Sequence, residues 1–382
     1  MALALTAAYG APRVPASDAE VLEHLPVRAG DATGRELRAL RAALAEAPRD
    51  PLRAVALARR YFDLASAEGD PRYIGYAEAA IRRWYDEKPI PVEIVFTRAL
   101  LAQYRHDFEP AMSDLDEVLK RDPSHGEALS WKWALYMVQA EYPAARAVCE
   151  QRRQSGSALG VAACVATLDS INGHAAEAYE ALSAAFARDP NRDAEYRQWI
   201  LTRLGEFALR TGDDARAASD FVAAIDTGVT DGYVLAAYAD LLLDTGRPAE
   251  VVRLLKDWTR SDILLLRLAI AEHALGAADA RPHIRALTER FADSALRGDR
   301  LHLQEEARFE LELRGNAERA LALALEDWKK QREPRDARVL MESAIAARKA
   351  GAARDALEWM KRTGYQEPRY RALAATLAKM AP

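Results

Sequence analysis

The residues best suited to chemistry are few. Cys149 and Cys164 stand in one stretch, CEQRRQSGSALGVAAC, and the chain has no other cysteine. By type alone they could form a redox pair, half of a metal site, a structural staple or two buried small residues that never meet. Their spacing is not that of the Cys-x-x-Cys redox motif. Seven histidines, at 24, 106, 125, 174, 273, 283 and 302, never stand three or four residues apart, the spacing that sets two ligands on one helix face. Two thiolates without a nearby histidine pair make a poor metal site. His273 and His283 could meet across a helix turn, but such histidines are ordinarily surface or core residues. The sequence holds no Gly-rich phosphate loop, no His-Glu-x-x-His and no Gly-x-Ser-x-Gly. Acidic residues are abundant on stretches whose other face is apolar, the pattern of a solvated helix surface rather than a catalytic carboxylate pair. No catalytic constellation, metal or cofactor is expected, and the chain does not read as an enzyme.

The composition shows what must position these residues. Half of the 382 residues are hydrophobic and 29 % are charged. Ala and Leu dominate the apolar share and β-branched residues are sparse, which favours helices. Basic and acidic residues nearly cancel, 53 against 58, and are interleaved, so a basic face for nucleic acid is not expected. No apolar run approaches the roughly 20 residues that cross a bilayer. Residues 1–30 read as a leader. MALALTAAYGAPRVPASDAE opens on a short apolar stretch with Ala8 and Gly10 suited to signal cleavage, but lacks a positively charged start. It is either the tail of a secretion signal, placing the protein in the periplasm or outside the cell, or a disordered leader of a cytoplasmic protein, which Pro12 and Pro15 also suit.

An internal repeat organises the rest. RHDFEPAMSDLDEVLKRDP (105–123) and NGHAAEAYEALSAAFARDP (172–190) share a turn, a small residue at the same offset and a closing Asp-Pro. The turn position falls at His106, Ala140, Gly173, Gly212, Gly246, Gly276, Gly315 and Gly351, at intervals of 34, 33, 39, 34, 30, 39 and 36. Five residues on stand Ala111, Ala145, Ala178, Ala217, Ala320 and Ala356, with Val251 and Arg281 as exceptions. Apolar-periodic stretches of about 14 residues flank each turn, which makes each unit two antiparallel helices.

These features resemble the tetratricopeptide repeat family. They are the small residues of the first helix (Ala99, Ala166, Gly205, Ala239, Ala269, Ala344), the turn glycine, the small residue opening the second helix, and the closing Pro89, Pro123 and Pro190. The resemblance covers roughly residues 50 to 365. It implies an all-α, right-handed superhelical solenoid of eight to nine helix pairs over 31–366, with irregular units near 263–295, where Pro282 stands in the second helix, and near 302–333, where Arg308 replaces the small residue. Residues 33–47 read as the second helix of a partial first unit, and residues 367–382 as a C-terminal capping helix. Trp84, Trp258, Trp328 and Trp359 fall near the ends of second helices and are expected to fill gaps between units. Trp131 and Trp133, two apart on one helix, face different ways, so one of them is expected at the surface.

The resemblance also implies that first helices line a concave groove for a protein or peptide partner. The positions it assigns there include Glu93, Phe96, Leu100 and Gln103, then Trp199, Thr202 and Glu206, then Tyr233 and Asp240, then Phe309 and Arg348. Aromatic anchors there suit an extended peptide or a partner helix. The Lys and Asn set of the family's two-carboxylate clamp is missing. The leading expectation is a non-enzymatic scaffold. Its alternatives are a periplasmic scaffold of a polysaccharide-export or outer-membrane assembly machine, and a carbohydrate-binding module or enzyme built within the array. In this frame Cys149 lies late in the third unit and Cys164 early in the fourth, on opposite sides of the turn SGS at 155–157. That leaves either a disulfide joining two units, tied to the export reading, or two buried thiols in a helix interface.

Overall fold

Glycine, or a residue forced into its conformation, punctuates the chain. In this computed structural model, which describes residues 31–380 except 69, 71, 154–155, 190–191 and 299–300, positive φ angles occur at His106, Ala140, Gly173, Gly212, Gly246, Gly276 and Gly315, seven of the eight predicted turns. The residue after the turn donates its N–H back to the carbonyl five positions earlier, from Asp107 to Ala102, Glu141 to Tyr136, His174 to Asp169, Asp213 to Ala208, Arg247 to Leu242 and Ala277 to Glu272, at 2.8–3.0 Å. This is the Schellman closure of a helix end, used repeatedly. The eighth turn is a correction: the left-handed residue is Arg348, not Gly351. Lys349 N–H closes on the Ala344 carbonyl at 2.9 Å, and the next residues, Ala350–Ala353, wind as a 3-10 turn before the second helix begins.

Between these turns lie twenty α-helices among the described residues. They are α1 Ala32–Glu46, α2 Pro51–Glu68, α3 Arg72–Ile81, α4 Val92–Tyr104, α5 Phe108–Arg121, α6 Gly126–Val138, α7 Tyr142–Arg152, α8 Ala158–Ile171, α9 Ala175–Ala187 and α10 Ala194–Thr211. There follow α11 Asp214–Ile225, α12 Gly232–Asp244, α13 Pro248–Leu255, α14 Asp262–Ala274, α15 Ala280–Leu296, α16 Leu303–Glu312, α17 Ala317–Trp328, α18 Pro334–Ala346, α19 Arg354–Thr363 and α20 Pro368–Met380. From α2 onward they pair as nine hairpins, even-numbered first helix with odd-numbered second helix; α1 packs on α2, and α20 packs back on α18. The fold is an all-α solenoid of tetratricopeptide-like hairpins. The irregular units keep the pairing: α14 packs on α15 and α16 on α17, with Pro282 tolerated in the first turn of α15.

Small residues set the close approaches. A Cβ on Gly205 would lie 2.7 Å from the Phe221 ring, so α10 and α11 meet only because that side chain is absent. Ala99, Ala166, Ala239, Ala269 and Ala344 are all buried. All three of Trp84, Trp328 and Trp359 are buried, Trp328 at the end of α17, Trp84 in the 3-10 turn after α3 and Trp359 within α19, and Trp258 is half-buried. The Cys149 and Cys164 sulfurs are joined as a disulfide between α7 and α8, with Cα atoms 5.8 Å apart.

The array does not stay open. Arg332 N–H donates to the Val138 carbonyl at 2.7 Å, Trp359 Nε1 donates to the Tyr142 hydroxyl at 2.9 Å, and Gly173 lies against the Gly364 carbonyl. Pro368 rests on Gly212, and Arg369 reaches Asp214 at 2.9 Å and Asp244 at 3.2 Å. The last hairpin and α20 thus lie across the turns of α6 to α12. At the other end α2 touches α12. The superhelix is wound tightly enough for its concave wall to face itself. The expected cap therefore does more than cover a last open face.

Candidate functional site

The concave wall converges on one chamber of about 310 Å³. Seven first helices contribute, α6, α8, α10, α12, α14, α16 and α18, and Tyr365, Glu367 and Tyr370 close it from the C-terminal end. Its lining is unusual for the inside of a solenoid: six arginines, 203, 210, 267, 308, 335 and 338, interleave with six acids, 206, 240, 244, 333, 342 and 367. A buried charge is tolerated only with a hydrogen-bonded partner, and the acids have theirs. Arg267 holds Asp240 through two bonds of 3.0 and 2.7 Å, and Arg308 reaches the same carboxylate at 2.5 Å. Burial alone would raise the Asp240 pKa, but these two guanidinium groups outweigh it and hold the carboxyl well below its usual range.

Glu206 accepts from Arg203 at 2.9 Å and from the Tyr233 hydroxyl, with Arg210 3.6 Å away. Burial and that carboxylate together push the Tyr233 hydroxyl pKa up, so the phenol stays protonated. Arg338 pairs with Asp244 at 2.6 Å and Glu342 at 2.8 Å, Arg335 with Glu333 at 2.8 Å, and the Tyr365 hydroxyl donates to Glu367 at 2.8 Å. Aromatic faces carry part of the cationic side. Arg203 lies 5.8 Å from the Trp199 ring centre and 5.1 Å from that of Tyr233, and Arg335 lies 5.4 Å from Tyr233. The arrangement suits binding. Its carboxylates are already engaged by arginines, which suits them poorly to general-base work.

Four of the predicted groove residues, Trp199, Glu206, Tyr233 and Asp240, meet in this chamber. The others do not. Phe96 and Leu100 are 3 % and 2 % exposed; Phe96 lies between the Arg59 guanidinium at 5.6 Å and the His125 ring at 4.9 Å, because neighbouring first helices pack over that face of α4. Thr202 is buried and donates to the Gln198 carbonyl at 2.8 Å, so its neighbour Arg203 takes the wall position. Phe309 packs on Phe291 at 5.4 Å in the core, and Arg348 sits in its left-handed turn. Glu93 is exposed and Gln103 half-buried, both outside the chamber.

The arginines had a faint sequence signal. Arg267 is the only charge within LLLRLAIA, and Arg308 stands where the repeat wants a small residue. Neither Trp131 nor Trp133 is exposed: Trp131 packs edge-on against Phe62 at 6.1 Å, and Trp133 lines the chamber. His283 binds Glu272 at 2.7 Å rather than meeting His273. Among the described residues no cluster of metal-ligand side chains occurs, and no helix is long and apolar enough to cross a membrane.

No family model matches the chain, and no curated protein matches it. Among solved structures it is similar to a tetratricopeptide repeat protein from Parabacteroides merdae, with 15 % identity, 63 % of this chain and 92 % of that one covered, and a TM-score of 0.45. It is also similar to the APC/C hetero-tetramer Cut9-Hcn1, at 13 % identity, 91 % and 87 % coverage and a TM-score of 0.30. A third similar structure is the TPR domain of P58(IPK), at 13 % identity, 83 % and 94 % coverage and a TM-score of 0.21.

Proposed function

We propose that this array of tetratricopeptide-like hairpins is a non-enzymatic interaction scaffold whose protein partner engages the mouth of the chamber. The observation that carries the reading is the convergence of seven first helices on one cavity in which Trp199 and Tyr233 remain half-buried. Such aromatic positions, next to charged pairs, are where binding energy concentrates. A chamber of about 310 Å³ is at the small end of ligand pockets, so it suits a short segment or a side chain, not a peptide running the length of the wall. The Cys149–Cys164 bridge favours an oxidising compartment, periplasmic or secreted, over the cytoplasm.

Tagged protein captured at native expression level tests the reading. A partner should co-purify with the wild type and be weakened about tenfold or more by Trp199→Ala or Tyr233→Ala. Capture that both variants leave intact would overturn the chamber as the docking site. Trapping free thiols in cells with an alkylating agent tests the compartment: Cys149 and Cys164 should be unlabelled after rapid acid quench and denaturation.

A further inference from the structure

The joint where the coil closes on itself is polar and unevenly balanced. The loop between α17 and α18 reaches the end of α6 through the Arg332 N–H on the Val138 carbonyl. Four carboxyl groups from three elements surround that loop: Glu305 on α16, Asp327 on α17, and Glu333 and Asp336 at the start of α18. Glu305, Asp327 and Asp336 are buried. Arg335 faces all four but bonds Glu333 alone, at 2.8 Å. Asp327 accepts from the Gln331 amide at 3.3 Å, and Asp336 from the Glu333 N–H at 2.9 Å. Glu305 has His302 Nδ1 3.9 Å away. From the α4–α5 turn His106 faces His302, Glu305, Glu333 and Arg335. Arg203 of α10 faces Glu333 too, but is engaged by Glu206 at 2.9 Å. Tyr233 of α12 lies against Arg335.

Buried carboxylates without a cation are costly, so this joint is built for protonated acids. Burial and then the Glu305 charge push the Asp327 carboxyl up to about 7, and burial followed by the Asp327 charge pushes Asp336 well up. Arg335 outweighs burial at Glu333 and holds it ionised. Freed from the joint, Asp327 and Asp336 would lose their protons near pH 4, so closing takes protons up above that pH. Their contribution to closure is full below about pH 4 and falls as pH rises through their raised values. His106 has the opposite sign: burial and the His302 charge lower it to about 4, so its contribution grows from pH 4 to 6.5. The imidazole thus offsets one carboxyl up to pH 6.5 and neither above it.

We propose that this joint is a proton-controlled clasp, closed in mildly acidic medium and loosened as the medium turns alkaline. Glu333, Pro334 and Arg335 line the chamber, so loosening the clasp unseals that wall. The clasp is independent of what the chamber binds.

Hydrogen exchange of the purified full chain from pH 5.5 to 8.5, corrected for the intrinsic rate at each pH, reads the clasp locally. Each proton taken up on closing is worth tenfold per pH unit. Protection over residues 327–336 and at the α6–α7 turn should therefore fall about tenfold or more between pH 6.5 and 8.5, while that of α2 and α3 stays level. In the double variant Asp327→Asn and Asp336→Asn, which keeps the shape and the acceptor oxygens, the fall should shrink to about twofold or less. Glu306→Gln, on α16 but paired with Arg319 at 3.0 Å, should keep the wild-type profile. Level protection over 327–336 in the folded wild type would overturn the clasp, and that reading stands even where the double variant does not fold. A folded double variant with the wild-type fall would overturn it as well. So would an equal fall in α2 and α3, since the whole fold rather than the joint would then be responding.

Discussion

The two largest hydrophobic clusters are built from the same hairpin and behave differently. The N-terminal one runs from Leu37 on α1 to Leu135 on α6, and its members sit on successive helices, each touching its neighbours in sequence. The other joins Tyr142, Cys149, Cys164 and Ile171 of α7 and α8 to Trp328, Met341, Trp359 and Tyr370 of α17 to α20. The first is a one-dimensional stack, where each unit's stability depends on the next. The second bridges more than half the chain, and it closes the chamber that α10, α12 and α14 also line. A repeat protein gains an interior only where its ends are made to meet.

The largest effect should separate the two kinds of core. Trp84, in the 3-10 turn after α3, and Trp359, within α19, are 2 % and 1 % exposed, each in one of the two clusters. Truncating either to Ala should cost about 3–5 kcal/mol in chemical denaturation. The consequences should differ in hydrogen exchange. Trp84→Ala should loosen α1 to α6 only, whereas Trp359→Ala should loosen α16 to α20 together with α6 to α8. Local loss of protection in both would mean that the closure adds no cooperativity.

The disulfide lies inside the closing cluster and sharpens the same contrast. Replacing Cys149 and Cys164 by Ser should cost roughly 3 kcal/mol for a loop of this length and lower protection in α16 to α20 as well as α7 and α8. Both cysteines are buried, so mild reductant should act on the native protein slowly.

The repeat was legible because its turns obey a local rule: the positive φ of Gly173 or Gly212 needs glycine, and equal spacing then located His106 and Ala140, which have no composition signal. Only Arg348 escaped, because a 3-10 turn shifted Gly351 out of phase. The closure was not legible. It depends on superhelical pitch, the sum of many small rotations between units, and no sequence period links Tyr142 to Trp359. The groove positions that missed the chamber did so for a local reason: Phe96 and Leu100 belong to the N-terminal stack, where Arg59 of α2 and the His125 ring at the start of α6 lie against Phe96. Arg203 and Arg210 were missed because their role appears only when α10 and α18 face each other.

A smaller effect comes from the acids behind the chamber wall. Asp327 is buried near Glu305 and Glu333, and burial followed by the Glu305 charge raises its pKa to about 7, with Gln331 donating to it at 3.3 Å. A carboxyl raised in the folded state favours folding while protonated. Its contribution is full below about pH 4 and is lost as pH rises to about 7. His106 has the opposite sense: burial lowers it to about 4, so its contribution is lost as pH falls from 6.5 toward 4. Comparing wild type with Asp327→Asn isolates the first. The variant should gain on the wild type by about 2 °C or more in melting temperature between pH 4 and pH 7, and no further above it. A constant difference across that range would mean that Asp327 titrates normally.

The closure itself stands or falls on the hydrogen bond from Trp359 to Tyr142, 217 residues apart in sequence. A double-mutant cycle of Tyr142→Phe and Trp359→Phe, read by urea denaturation, measures it directly. Closed ends should give a coupling of about 1 kcal/mol. Additive effects within about 0.3 kcal/mol would contradict the closed array and the chamber with it.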